Sequence, residues 1–188
     1  MYDISGGNKM KLRVASPTIF DSIVDGPGLR MVIWTQGCIH NCNGCHNPQT
    51  HILNGGYEID YRDIVDEIKH SNLQRGITLS GGEPFLQPIP LELIAKEAKK
   101  KGLDVWAYTG FTFEELLDKS NNEYEDRLNL LKQVDVLVDG KFDQYKKSIE
   151  LKFRGSYNQR IIDVQRSLKE NKIFLKYEYM EDTLYKVK

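Results

Sequence analysis

Apolar residues recur along this chain in two rhythms that take turns. Residues 29–35, 76–80, 103–108 and 134–138 are short apolar runs that read as strands. Between them the spacing becomes helical. Asp60 is placed to cap a helix with Ile64, Val65 and Ile68 on one face. Pro90 opens a helix carrying Leu91, Ile94, Ala95 and Ala98 at i, i+3, i+4, i+7. Thr112 and Glu115 form a capping box, and Tyr124, Leu128 and Leu131 mark a further helical face. Residues 141–160 are polar and carry no clear period, 164–170 read as a helix and 173–179 as a last strand. The alternation predicts an α/β chain with a parallel sheet. Too short for an eight-unit barrel, it is expected to form a single domain over residues 1–188. The expected architecture is a partial (open) β/α barrel of about five or six mainly parallel strands.

Composition narrows the setting. The 188 residues carry a formal net charge of −1, with 40% hydrophobic and 28% charged residues, the profile of a water-soluble globular chain. That balance provides no bulk attraction for nucleic acid or an anionic membrane. Lys99, Lys100 and Lys101 read as the cationic last turn of a helix stopped by Gly102. The N-terminal Met-Tyr-Asp-Ile-Ser-Gly-Gly lacks the apolar core of a signal peptide, and no segment approaches the ~20 apolar residues of a membrane span. An odd cysteine count without an export signal predicts the reducing cytoplasm.

The chemistry-bearing residues follow the strands. Cys38, Cys42 and Cys45, the three cysteines of the chain, form a C-x₃-C-x₂-C loop directly after the first apolar run. Three clustered thiolates cannot pair evenly as disulfides. They suit three irons of a four-iron, four-sulfur cluster and leave the fourth iron open to a ligand. The spacing leaves two alternatives: a tetrahedral zinc site completed by His40, His46 or His51, or structural cysteines with no metal. Gly81-Gly82-Glu83-Pro84 follows the second run. It reads as a tight bend, or as backbone that a ligand approaches closely, with Glu83 available to an ammonium group.

Thr109-Gly110 and Asp139-Gly140 close the third and fourth runs. In parallel α/β folds such loops meet at one rim, so four segments are predicted to share one site. Asp139 would there bind a ligand hydroxyl, a cation or a substrate backbone, or serve as a plain turn residue. Asp25-Gly26-Pro27-Gly28-Leu29-Arg30 reads as a turn whose Arg30 could face an anionic group. Arg154-Gly155-Ser156-Tyr157-Asn158-Gln159-Arg160 is either a solvated loop or a recognition segment. His51 and His70 read as surface residues, Trp34 and Trp106 as core.

Taken together, these motifs resemble the radical S-adenosylmethionine superfamily, whose pairing is C-x₃-C-x₂-C followed one βα unit later by Gly-Gly-Glu-Pro. Within it, Asp25-Gly26-Pro27-Gly28-Leu29-Arg30 and Cys45-His46-Asn47 resemble the glycyl-radical-enzyme activases. Val138-Asp139-Gly140-Lys141-Phe142 and the 154–160 segment are similar to those that activate anaerobic ribonucleoside-triphosphate reductase. The resemblance spans residues 18–163. Gly44 departs from it, because many superfamily members place an aromatic residue there, over the adenine.

The resemblance implies one 4Fe-4S cluster on Cys38, Cys42 and Cys45, with S-adenosylmethionine on the open iron. It implies that Gly81, Gly82 and Glu83 receive the amino group and that Gly44, Cys45 and His46 line the adenosine. Thr109 and Asp139 are expected on the far side of the same pocket. Reduced flavodoxin would supply one electron, and cleavage would give methionine and a 5′-deoxyadenosyl radical. That radical would take hydrogen from a glycine of the reductase large subunit, leaving a glycyl radical. No side chain is expected to act as an acid or base. The partner's loop is expected to enter through the gap between the first and last strands. Activation of another glycyl radical enzyme, of the pyruvate formate-lyase type, or a small-molecule radical synthase are the alternative readings.

Overall fold

The computed structural model describes residues 10–180. The chain enters through β1 (Lys11–Val14), β2 (Ile19–Ser22) and β3 (Arg30–Thr35), then passes the cysteine loop to β4 (Tyr57–Asp60) and α1 (Tyr61–His70). β5 (Gly76–Gly81), α2 (Pro88–Lys100), β6 (Asp104–Tyr108), α3 (Phe113–Leu116), α4 (Tyr124–Leu131) and β7 (Val136–Asp139) continue the alternation. β8 (Arg160–Asp163) and α5 (Val164–Glu170) end it. The fold is mixed α/β around one eight-stranded sheet that does not close, ordered β4-β1-β3-β5-β6-β7-β8, with β2 pairing β3.

This corrects the expectation of five or six mainly parallel strands. β3, β5, β6 and β7 are parallel to one another, whereas β1, β2, β4 and β8 join antiparallel. Each parallel neighbour needs a helical crossover, which separates these strands into visible apolar runs. The antiparallel strands are only four residues each, too short to carry a clear apolar period. β8 also takes the place beside β7. The strand expected over 173–179 is reduced to one bridge, Leu175 to Ile162, and a 3₁₀ turn at Tyr177–Tyr179.

Alternation along the parallel strands decides what each face carries. Met31, Ile33, Ile77, Leu79, Val105 and Ala107 belong to the main buried core with the helices. α2 packs between α1 and α4 and buries Leu91, Ile94, Ala95 and Ala98 completely. Burying one such Leu or Ile contributes roughly 1.5–3 kcal/mol. α2 begins at Pro88 and not Pro90, and both prolines sit in the first turn, where no helical N–H is needed. Asp60 caps α1 by accepting from Arg62 N at 3.1 Å, and the Thr112–Glu115 capping box forms. In α4 the deepest residues are Arg127, Leu130 and Leu131, a stripe rotated from the expected one. Arg127 is buried because its guanidinium lies 4.4 Å from the Phe111 ring centroid.

The opposite face of the sheet holds a polar plug. Arg30 is fully buried, 2.7 Å from both Thr78 Oγ1 and Asp104 Oδ1, with Trp106 beside it at 5.6 Å. It therefore serves structure at the entry end of the strands and does not face a ligand. Trp34, Ser80 and Tyr108, further along β3, β5 and β6, line a cavity at the exit end.

Candidate functional site

That cavity measures about 380 Å³. Its wall takes residues from the ends of β3, β5, β6 and β7 and the loops that follow them: Cys38, Cys42 and Cys45, then Gly81 and Gly82, Thr109 and Gly110, and Gly140. The predicted convergence of four post-strand segments is what the structure has.

Local backbone chemistry shapes the cysteine loop. Gly37 N donates to Thr50 O at 2.9 Å and Cys38 N to His51 O at 3.2 Å, which ties the loop's start to the turn at Pro48–Thr50. Asn41 and Gly44 turn the chain in the left-handed region, at φ 47 and 72. Cys45 N closes the turn onto Cys42 O at 3.2 Å, and Cys45 Sγ accepts from Asn47 N at 3.4 Å. All three thiols are free and half-buried. Burial pushes the Cys38 and Cys42 thiols up from their ordinary value, so a metal binding there displaces protons.

The Gly-Gly-Glu turn lies against this loop. Gly82 N donates to Thr35 O and Glu83 N to Gly37 O, each at 2.8 Å. Gly81 sits at φ 99, and a Cβ on Gly82 would lie 2.8 Å from the Gly37 carbonyl carbon. Both positions therefore require glycine.

Several expected ligand contacts are placed otherwise. Glu83 does not line the cavity; it is completely buried. Its Oε1 accepts from Thr109 Oγ1 at 2.8 Å and Phe85 N at 3.0 Å, and its Oε2 meets Gly110 N at 2.8 Å and His40 Nε2 at 2.7 Å. A carboxylate so engaged has no oxygen left for a ligand ammonium. Asp139 is also off the wall and 1% exposed. It accepts from Phe113 N at 2.7 Å and pairs with Arg160 Nε and Nη2 at 3.0 and 2.5 Å. Gly44 backs onto the 142–144 segment, where a Cβ would lie 3.0 Å from Gln144 Oε1. Cys45, His46, Gly81, Gly82 and Thr109 stay on the wall. The His46 ring rests against Phe142, 4.9 Å between centroids.

Two wall residues contradict their sequence reading. Trp34 was expected in the core and His51 on the surface, yet both line the cavity. Trp34 Nε1 and His51 Nε2 are buried without a protein hydrogen-bond partner. Strand parity could have found Trp34, since it alternates with the core-facing Met31 and Ile33. Beyond its nearness to the cysteine loop, nothing in the sequence singles out His51.

The donor set fits a thiolate-held cluster. Three free thiols share one wall of a cavity that also presents glycine backbone and two unpartnered ring nitrogens. Among the described residues, no group of three or more His, Cys, Asp and Glu side chains gathers as a metal-ion site would. His40, one candidate fourth zinc ligand, has its Nε2 taken by Glu83.

Comparison with known proteins agrees. The model of the family described as "4Fe-4S single cluster domain" matches residues 24–162. Proteins named anaerobic ribonucleoside-triphosphate reductase-activating protein align along most of their length. The one from Vibrio cholerae is 36% identical over 148 residues, covering 74% of this chain and 90% of its own. The one from Escherichia coli is 37% identical over 145 residues, covering 73% and 90%. This chain belongs to the family of anaerobic ribonucleoside-triphosphate reductase-activating proteins. The Haemophilus influenzae member of that family is 34% identical over 150 residues, covering 74% of this chain and 90% of its own. Among solved structures, QueE from Escherichia coli aligns over 54% of each chain at 17% identity with a TM-score of 0.42. The region matched by the 4Fe-4S single cluster domain model includes the cysteine loop and runs into β8.

Proposed function

We propose that this protein activates an anaerobic ribonucleoside-triphosphate reductase by generating a glycyl radical in it. The observation that carries the reading is the shared wall: three cysteine thiols face the same cavity as Gly81, Gly82 and Thr109. Cys38, Cys42 and Cys45 would hold a 4Fe-4S cluster through three irons and leave the fourth for S-adenosylmethionine. When bound, the cluster supplies the electron that cleaves S-adenosylmethionine into methionine and a 5′-deoxyadenosyl radical, which takes hydrogen from a glycine of the reductase.

The chain's own residues bind, orient and shield. Gly81 and Gly82 let a ligand approach the backbone, where carbonyls can accept from its ammonium group. Trp34 Nε1 offers a buried N–H with no competing protein acceptor. Cys45 and His46 would flank the adenosine, backed by Phe142. Leu151 and Phe153 complete the wall with apolar surface that keeps water from a reactive radical. No side chain needs to move a proton. Holding both reacting groups in one pocket supplies the orientation that catalysis requires.

The eight strands are read as one radical S-adenosylmethionine domain, a partial barrel, whose open side between its end strands admits the reductase's glycine loop. Reduced flavodoxin is the proposed electron donor and the cytoplasm the proposed compartment. No helix among the described residues is long and apolar enough to cross a membrane. The test is product analysis. The anaerobically reconstituted protein, given reductant and S-adenosylmethionine, should release 5′-deoxyadenosine and methionine in equal amounts. Cys38→Ala, Cys42→Ala and Cys45→Ala should release none; release by any of them refutes the assignment.

A further inference from the structure

His40 sits inside the cysteine spacer, between Cys38 and Cys42. Its neighbours Ile39 and Asn41 are exposed, as a polar loop would have them. The His40 side chain is 5% exposed. It turns inward, with Nε2 2.7 Å from Glu83 Oε2 and its ring edge-on to Phe111 at 4.6 Å. Gly110 makes room for it: a Cβ there would lie 2.6 Å from His40 Cγ. With Glu83 already accepting from Thr109 Oγ1, Phe85 N and Gly110 N, His40 Nε2 is assigned as the donor of the pair. Glu83 is held from its other oxygen by Thr109 and Phe85, and its backbone N binds Gly37 O.

We infer that His40 is a positioning residue which, through Glu83, clamps the cysteine loop to the Gly81-Gly82 turn. The clamp fixes the distance between the cluster's ligands and the backbone that receives the second ligand. Its anchor is firm because Glu83 is buried and ties together β5, the residues after β6 and the cysteine loop. The bond crosses from the loop after β3 to the loop after β5, which the sheet alone joins only at their roots. Glu83 then serves the site by holding the loop and not by touching the ligand. The identity of that ligand rests on the function proposed above; the clamp itself rests on the contacts just given.

Three variants separate a clamp from simple filling. His40→Gln can place an amide N–H near the position of Nε2, His40→Leu fills the volume without a donor, and His40→Ala does neither. The full chain is reconstituted anaerobically with iron and sulfide, and iron release to a chelator is followed. The iron-free thermal midpoint of each variant is measured beside it. Loss of one hydrogen bond to a charged group predicts about tenfold faster iron release for Leu and Ala, with Gln within about twofold of wild type. Wild-type retention of iron by His40→Leu, or loss by His40→Gln as fast as by His40→Ala, would overturn the clamp. If His40→Leu does not fold, the order of Gln against Ala decides alone. The change that S-adenosylmethionine induces in the reduced cluster's electron paramagnetic resonance spectrum is recorded for wild type and His40→Gln. Its absence in both, with the iron-release order as expected, would sink the S-adenosylmethionine reading and leave the clamp standing.

Discussion

Replacing Arg160 by methionine tests how Asp139 is held. The Asp139 side chain is 1% exposed and Arg160 is 30% exposed. Arg160 gives it two charge-assisted hydrogen bonds, at 3.0 and 2.5 Å, and Phe113 N gives a third at 2.7 Å. Methionine keeps most of the stem's packing and leaves a buried carboxylate with a single backbone donor. Breaking a buried pair from one side costs about 3–5 kcal/mol. Here water can reach the partly exposed side that Arg160 vacates, which lowers the expected cost to about 2–3 kcal/mol. In a chain of this size that is a fall of roughly 4–12 °C in Tm. Urea unfolding of the iron-free protein, followed by far-UV circular dichroism, measures it. The double variant Asp139→Asn with Arg160→Met should recover about half the loss, because a neutral amide needs no counter-charge while its carbonyl still accepts from Phe113 N. Arg160→Met within about 0.5 kcal/mol of wild type, or a double variant less stable than Arg160→Met, would show that Asp139 is not held by Arg160.

Gly82→Ala should lower both iron content and S-adenosylmethionine affinity, since its Cβ meets the Gly37 backbone next to Cys38; iron analysis and equilibrium dialysis read the two, and full iron content would count against the contact. Trp34→Phe removes a buried indole N–H that has no protein acceptor. It should leave iron-free stability unchanged or slightly raised, while S-adenosylmethionine affinity falls about fivefold by dialysis. The Arg160 guanidinium holds the Glu114 carboxyl below the usual carboxylate range. A lowered folded value means the stabilisation is present above the unfolded value, near pH 4.3, and is lost as pH falls through the folded one. Glu114 is largely exposed, so the loss should be about 0.5 kcal/mol or less between about pH 5 and 3, and absent in Glu114→Gln when urea midpoints are compared.

The meeting of four loops was legible because each follows a run of apolar residues that a crossover helix isolates. The gathering of Cys38, Cys42 and Cys45 on one loop was legible from their spacing. The fates of Glu83 and Asp139 were not. A carboxylate after a strand looks the same in sequence whether it faces a cavity or the protein. What decides is the partner, and His40 and Arg160 lie 43 and 21 residues away. β1, β4 and β8 stayed hidden because a strand of four residues shows only two apolar positions, too few for a period. His51 enters the cavity wall because its carbonyl receives Cys38 N, a pairing that no local pattern announces.

The most direct measurement is electron paramagnetic resonance of an anaerobic ribonucleoside-triphosphate reductase mixed, without oxygen, with the cluster-loaded protein, a reductant and S-adenosylmethionine. A glycyl radical signal should appear in the reductase, require all three additions and vanish with Cys38→Ala. A reductase that stays silent while S-adenosylmethionine is cleaved, or a signal that survives Cys38→Ala, would contradict the proposed activation.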